Sequence, residues 1–317
     1  WYGPGKTVGG NRGQRPQKLE ARKIMGTSTG VYWMLLATFL FTTLDATAKW
    51  LSQTYPVEQV VWARFFFHVL VLGLWLGLSR SRSLVACLRT EKPGLQLFRS
   101  GLMLVTNLLF FMAVRTLPLA DVVAVMFIGP LLVTALSVPL LGERVGRRRW
   151  AAVGVGFAGA LIIIRPSADI LQSVALLPLL AAFTHALYTI TTRQLRDADP
   201  ALTTLLYTGL VGAGVSTLIV PLSWTPPDVE GWLLMVIAGS LGAVGHLALI
   251  RALSISPPAA LMPLSYMVLL WSTGYGYVLF GDLPDQWTLL GACVVIGSGL
   301  YVLHRERVVS REGRGTG

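Results

Sequence analysis

At 317 residues, 54% of them hydrophobic and only 13% charged, with a mean hydropathy of +0.63, the chain is too apolar for a soluble domain and must face lipid. A net charge of +11 would suit nucleic acid, but the bases are dispersed between apolar runs and form no single basic surface, so no nucleic-acid partner is expected. Two cysteines, Cys87 and Cys293, supply neither a disulfide framework nor a metal site and read as small apolar fillers.

In chain order, residues 1–26 are polar, basic and glycine-rich, without an initiator Met or an apolar stretch. They read as a truncated or processed disordered tail and not as a signal peptide. Ten runs follow that are long enough to cross about 30 Å of hydrocarbon as helices. They cover residues 30–51, 57–78, 96–115, 118–141, 149–165, 172–192, 201–221, 232–253, 258–280 and 285–303. With the N-terminus inside, 22 of the 26 Lys and Arg fall on the cytoplasmic side, including Arg80, Arg82, Arg89, Lys92 and Arg99 around the second loop. Lys49, Arg115 and Arg165 fall outside and Arg64 lies within a helix. This is the distribution that the positive-inside tendency produces, and it places both termini in the cytoplasm.

The run from Pro118 to Glu143 returns as Pro257 to Asp282. One ungapped register sets Ala113 over Ala252, Pro118 over Pro257, Ala120 over Ala259, Thr134 over Thr273, Gly142 over Gly281 and Glu143 over Asp282. Nearer the front of each half, Lys49 to Pro56 aligns with Arg193 to Pro200. Five helices per copy is odd, so the second copy enters the membrane upside down. The expected fold is an all-α integral membrane protein of ten transmembrane helices, built as two inverted five-helix repeats around a central cavity. The expected units are a disordered basic tail at 1–26, a first repeat at 27–167, a second at 168–304 and a basic cytoplasmic tail at 305–317.

Ionisable groups inside such helices are site candidates by default. Asp45 and Arg64 both lie about 10 Å deep at 1.5 Å per residue and are expected to form an ion pair at the outer rim of the cavity. Lys49, four residues beyond Asp45, is a competing partner, and these three form the gating or coupling set. The alternative is that the charges only lock the first two helices together. His68, Asn107, His185 and His246 fall near mid-depth, and Asn107 and His246 occupy equivalent positions in the two copies. His68 follows Arg64 by one turn and reads as structural. The ninth helix carries Met262, Tyr266, Met267, Trp271, Tyr275 and Tyr277. Tyr266 and Trp271 suit a cavity wall for a solute with apolar and polar parts, whereas Tyr275 and Tyr277 suit the lipid interface. With Tyr188, one turn from His185, the substrate-binding set is Asn107, His185, Tyr188, His246, Tyr266 and Trp271. Gly154, Gly156 and Gly159 spell a dinucleotide fingerprint, but no strand precedes them, so close helix packing explains them better. No metal-ligand spacing and no phosphate loop occurs, and neither cofactor nor direct ATP energisation is expected.

Several phrases carry a family resemblance: Leu44-Asp45-Ala46 with Lys49-Trp50-Leu51, Gln59 to Arg64, Pro118-Leu119-Ala120-Asp121, and Leu141-Gly142-Glu143-Arg144 before an arginine-rich turn. Together they resemble the drug/metabolite transporter superfamily, in its ten-helix EamA-type branch. The second copy departs from the pattern, with Ala260 where the first has Asp121 and Leu283 where it has Arg144. The resemblance implies a bacterial inner-membrane carrier and not an enzyme. The function expected is a monomeric secondary transporter in membrane lipid that exports small amphipathic metabolites, amino acids foremost, by alternating access, with Asp45 and the histidines able to couple protons. One alternative is an importer of a larger nucleotide-like or vitamin-like metabolite, which an excess of arginine in the cavity would favour. The other, an intramembrane enzyme using Asp45, His185 and His246, is not demanded by their spacing.

Overall fold

The computed structural model describes residues 14–78, 87–143, 145–165 and 173–312. Arg80, Arg82 and Arg144 lie outside the described residues, as do residues 1–13 and 313–317 of the two tails and residues 166–172 between the fifth and sixth helices. Every regular element described is helical: α1 (Gln14–Thr54), α2 (Val57–Leu78), α3 (Pro93–Thr116), α4 in two pieces (Leu119–Met126 and Gly129–Leu141) and α5 (Arg147–Ile164). The second series is α6 (Leu177–Leu195), α7 (Ala201–Ile219), α8 (Val229–Ile255), α9 (Pro258–Leu261, Met262–Tyr266, Met267–Tyr275 and Gly276–Phe280) and α10 (Gln286–Glu312). The N-terminal tail is helical from Gln14, where disorder to residue 26 was expected.

The boundaries follow from local chemistry. The first turns of α2, α4, α7 and α9 stand directly behind Pro56, Pro118, Pro200 and Pro257, whose fixed φ and missing N–H suit a helix start. At the other end α4 and α9 stop at Gly142 and Gly281, with φ of 68° and 71°, a left-handed conformation that a side chain would strain. Asp228 caps α8 by accepting from the Gly231 N–H and from the Tyr55 hydroxyl, and these two bonds hold its carboxyl below the usual range. Both α4 and α9, expected as continuous rods, are interrupted in mid-run. The α4 break falls at Phe127 and Ile128, just before Gly129-Pro130, and α9 tightens to a 3₁₀ turn around Pro263.

The molecule is inside out relative to a soluble protein. Leu74, Leu218, Leu222 and Val278 are exposed, while Gln59, Arg64, His68, Gln96, Arg99 and Asn107 are buried. Six helices, α1 to α4, α7 and α8, have the length and hydropathy to cross a membrane by themselves, and the shorter or interrupted α5, α6, α9 and α10 complete ten crossings.

Packing pairs the two halves. Around a ring, α1 contacts α8, then α2, α7, α3, α6, α4 and α9 follow in turn, and α9 returns to α1; α5 and α10 pack together outside. Exchanging each helix for the one five places along maps this ring onto itself. The exchange holds at the level of residues. His68 of α2 meets Gly209 of α7, and Phe65, mate of Gly209, meets Gly212, mate of His68. In the same way Gly156 meets Ser298 and Gly159 meets Val295 across α5 and α10, and Phe127 meets its own mate Tyr266 at 4.9 Å. The two repeats are thus inverted copies around a shared pseudo-twofold axis.

The copies are not packed alike. In the first, α1, α2 and α3 contact one another, and Leu44 to Tyr55, Val57 to Phe65, Phe110 to Val114 and Leu119 to Val123 contribute to one apolar cluster at the end where α1 and α3 finish. Among the described residues α6, α7 and α8 make no comparable contacts with one another, and the corresponding end holds two separate smaller clusters. The ring is plugged at one end only.

Candidate functional site

Antiparallel α1 and α2 bring two pairs of residues to matching levels of the lumen. Phe41 and His68 both touch His246 of α8, with ring centroids 4.8 and 5.6 Å away. One turn nearer the plugged end, on the same faces, stand Asp45 on α1 and Arg64 on α2. Asp45 and His246 are enclosed by protein yet keep partly exposed surfaces, as side chains lining an internal space do. His246 donates through Nδ1–H to the Gly242 carbonyl at 2.8 Å.

Arg64 is 7% exposed and lies over the rings of Phe65 and Phe111, 5.2 and 5.9 Å from their centroids. Asn107 sits one turn below Phe111 on α3, with its amide nitrogen donating to its own helix at Met103. The expected Asp45–Arg64 ion pair is corrected here. Each lies in the other's electrostatic field, but the two are not in ion-pair contact. Lys49 does not pair with Asp45 either; its Nζ donates to Asp282, just beyond α9, at 2.9 Å and to the Leu117 carbonyl at 3.0 Å, and it lies over Phe280.

Arg99 corrects the sequence reading further. Counted there with the bases around the second loop, at the start of the run 96–115, it is 4% exposed and nearly two turns inside α3. Its guanidinium donates to Thr192, the Thr204 carbonyl, Thr208 and the Tyr188 hydroxyl, with no carboxylate in contact. Pro93, which opens α3, was the signal that could have placed it. Tyr188 stacks on His185 at 5.7 Å, and both are partly exposed inside the bundle. His246 lies within electrostatic reach of both Arg64 and Arg99, and Arg64 within reach of Asp45.

The α9 aromatics stand apart from this cluster. Tyr266 packs on Phe127 and approaches Gly299 at the meeting of α4, α9 and α10. Trp271 donates at 3.4 Å to Thr38 and meets Phe39 edge-on, and the Tyr275 hydroxyl bonds Thr43, so these two belong to the seam between α1 and α9. Tyr277, 60% exposed, is placed as an interface residue would be. The structure therefore brings Asp45, Arg64, His68 and His246 together, keeps Asn107 bonded to its own helix one turn from Phe111, sets His185 and Tyr188 beside Arg99, and leaves Tyr266, Trp271 and Lys49 in helix seams. A separate peripheral cavity of about 320 Å³ is lined by Leu117, Asp121, Val125, Ile164, Arg165 and Pro178. No group of His, Cys, Asp and Glu suited to a metal occurs among the described residues.

Comparison with known proteins adds three findings. The model of the EamA-like transporter family matches the chain twice, at residues 28–165 and 172–303. Similar proteins include an S-adenosylmethionine uptake transporter of Rickettsia bellii, 27% identical over 88% of this chain and 95% of the relative, and a riboflavin transporter of Vibrio cholerae, 28% identical over 90% and 96%. A pseudopaline exporter of Pseudomonas aeruginosa is 28% identical over 84% and 93%. A solved crystal structure superposes with a TM-score of 0.60 at 22% identity, covering 86% of this chain and 95% of that one, a likeness of fold.

Proposed function

Since the chain belongs to the EamA-like transporter family, within the drug/metabolite transporter superfamily, we propose that it is a secondary carrier working by alternating access in the bacterial inner membrane, with both termini in the cytoplasm. The observation that carries this reading is the lopsided ring: two inverted copies with matching contacts, one packed into a plug and the other not. Two copies that can exchange these packings give two conformations of similar energy, open to opposite faces. It carries its cargo without chemically altering it.

For the cargo, the two buried arginines favour the alternative of a larger, heterocycle-bearing metabolite over a small neutral amino acid. Export of amino acids finds no support among the relatives, whose names concern S-adenosylmethionine, riboflavin and pseudopaline and run in both directions. The aromatic and imidazole rings of Phe41, His246, His185 and Tyr188 offer flat partners for such a body. Counterflow in liposomes preloaded with S-adenosylmethionine, riboflavin, uridine, tryptophan or leucine tests the proposal. Exchange of at least one heterocyclic compound, and none of leucine, is expected. Exchange of leucine alone overturns the cargo assignment, and no exchange of any compound overturns the carrier reading.

A further inference from the structure

Outside the ring, the seam between α5 and α10 is closed along part of its length and open along the rest. A Cβ added at Gly156 would fall 2.5 Å from the Ser298 hydroxyl and one added at Gly159 would fall 2.9 Å from Val294 and Val295, so the helices touch there. From Val155 back towards the start of α5 the seam holds a second peripheral cavity of about 340 Å³, lined by Arg148, Ala151, Ala152, Val155, Ser298 and Tyr301. Arg148, Ala151, Val155 and Tyr301 are exposed, so this groove opens onto the outer surface of the bundle and is reached from the lipid.

Charge at its mouth is unbalanced. Arg147 and Arg148, exposed in the first turn of α5, make no hydrogen bond or ion pair among the described residues, and Glu143, the nearest acid before them in the chain, is bound to Arg193. These bases do not serve their own helix, since the positive end of its dipole disfavours cations and no acid shares the turn. The rest of the wall suits no free anion: Ala151, Ala152 and Val155 are apolar, and the Ser298 hydroxyl donates to the Val295 carbonyl of its own helix. Seven residues separate Arg148 from Val155, about 10 Å along the axis, so charge and apolar wall lie at opposite ends of one groove. The register that sets Glu143 over Asp282 sets Arg147, Arg148 and Arg149 over Gln286, Trp287 and Thr288. The first turn of α10, at the other end of the same helix pair, therefore carries no base and is capped by Asp285.

We propose that this groove is a binding site for one anionic glycerophospholipid. Its phosphate accepts from the Arg148 guanidinium, with Arg147 beside it, and an acyl chain lies along Ala151 and Val155 against Tyr301. A zwitterionic lipid fits the apolar wall equally well but brings a cation to an end that already holds two uncompensated ones, so the groove selects for net negative charge. Through Ala152, Ile163 and Val295 the same two helices share an apolar cluster with Ile128 and Leu131 of α4, so a lipid seated between α5 and α10 reinforces their attachment to the ring and stabilises the fold by mass action.

Native mass spectrometry of the purified full chain in detergent, titrated with phosphatidylglycerol, phosphatidylcholine or glycerol 3-phosphate, tests the site. Phosphatidylglycerol should fill one saturable site about tenfold or more tighter than phosphatidylcholine, as two bases facing a net negative headgroup give, and glycerol 3-phosphate should not displace it. Arg148→Gln should reduce that preference to about threefold or less. Ala151→Phe, which fills the groove without changing charge, should weaken both lipids, and Arg196→Gln, an equal loss of charge at the exposed end of α6, should alter neither. Where a variant fails to elute as a single folded species, the order of the three compounds on the unaltered protein decides. Equal affinity for the two lipids, or equal losses from Arg148→Gln and Arg196→Gln, overturns the site and leaves only diffuse attraction to a basic surface. Displacement by glycerol 3-phosphate at the lipid's own concentration overturns the lipid as occupant and leaves a phosphate site.

Discussion

Gly212 on α7 faces the ring of Phe65, and an added Cβ would fall 2.5 Å from the ring carbons. Phe65 is 4% exposed and carries Arg64 against its face, so it has little room to withdraw. Gly212→Ala should therefore lower the protein's stability by about 1–3 kcal/mol, as overpacking does, read as a fall in thermal unfolding temperature in detergent. Gly154→Ala, with nothing within 4 Å of the new Cβ, should be neutral or stabilising by up to about 1 kcal/mol through helix propensity. The pair shows what the sequence could and could not say. Gly154, Gly156 and Gly159 were legible as helix packing instead of nucleotide binding, yet only the last two pack closely, since the spacing does not reveal which face of α5 meets α10. Arg99 was missed for a related reason: an arginine six residues past a helix-opening proline looks like a snorkelling base until its four oxygen partners, on α6 and α7, are known.

At the level of helices, the ends of α4 and α9 are equivalent in sequence and conformation, each closing on a left-handed glycine followed by an acid. The acids make equivalent ion pairs. Asp282 holds Lys49 at the end of α1, and Glu143 holds Arg193, the mate of Lys49, at the end of α6. The register Lys49 over Arg193 and Glu143 over Asp282 was legible in the sequence; the pairing was not, because it joins helices far apart in the chain. Nor were the breaks in α4 and α9 legible, since a continuous apolar run has the same hydropathy whether straight or interrupted. The two pairs differ in burial. The Lys49 side chain is 7% exposed, at the plugged end, while both members of the Arg193 pair are more than a third exposed. Water screens the second pair, so Glu143→Gln should cost less than about 1 kcal/mol. Asp282→Asn leaves a buried ammonium without its countercharge, beside the Leu117 carbonyl, the Phe280 ring and a neutral amide; discounted for the partial exposure of Asp282, its cost should be about 1–3 kcal/mol. Paired unfolding measurements on the two variants check the difference, and equal losses would remove the claim that these latches are in different states.

For the molecule as a whole, a pseudo-twofold with one end plugged means that the conformation with the other end plugged is built from the same contacts with the halves exchanged. In that exchange the Lys49 latch becomes the exposed one and the Arg193 latch the buried one. Cysteine accessibility makes this measurable. With Cys87 and Cys293 replaced by serine, a cysteine at Thr192, partly exposed on α6 beside Arg99, should react with a membrane-impermeant thiol reagent. One at Leu51, 1% exposed in the plug, should not. If the halves exchange packings, Asp282→Asn weakens the contact that holds the observed state, so labelling at Leu51 should rise as labelling at Thr192 falls. The reciprocity distinguishes exchange from simple loosening, which would raise both together, because a lumen between inverted copies is reached from one face only while the other is closed. Both sites labelled at once, or neither changed by Asp282→Asn, would mean that the asymmetry between the repeats is fixed architecture and not one of two positions of a carrier.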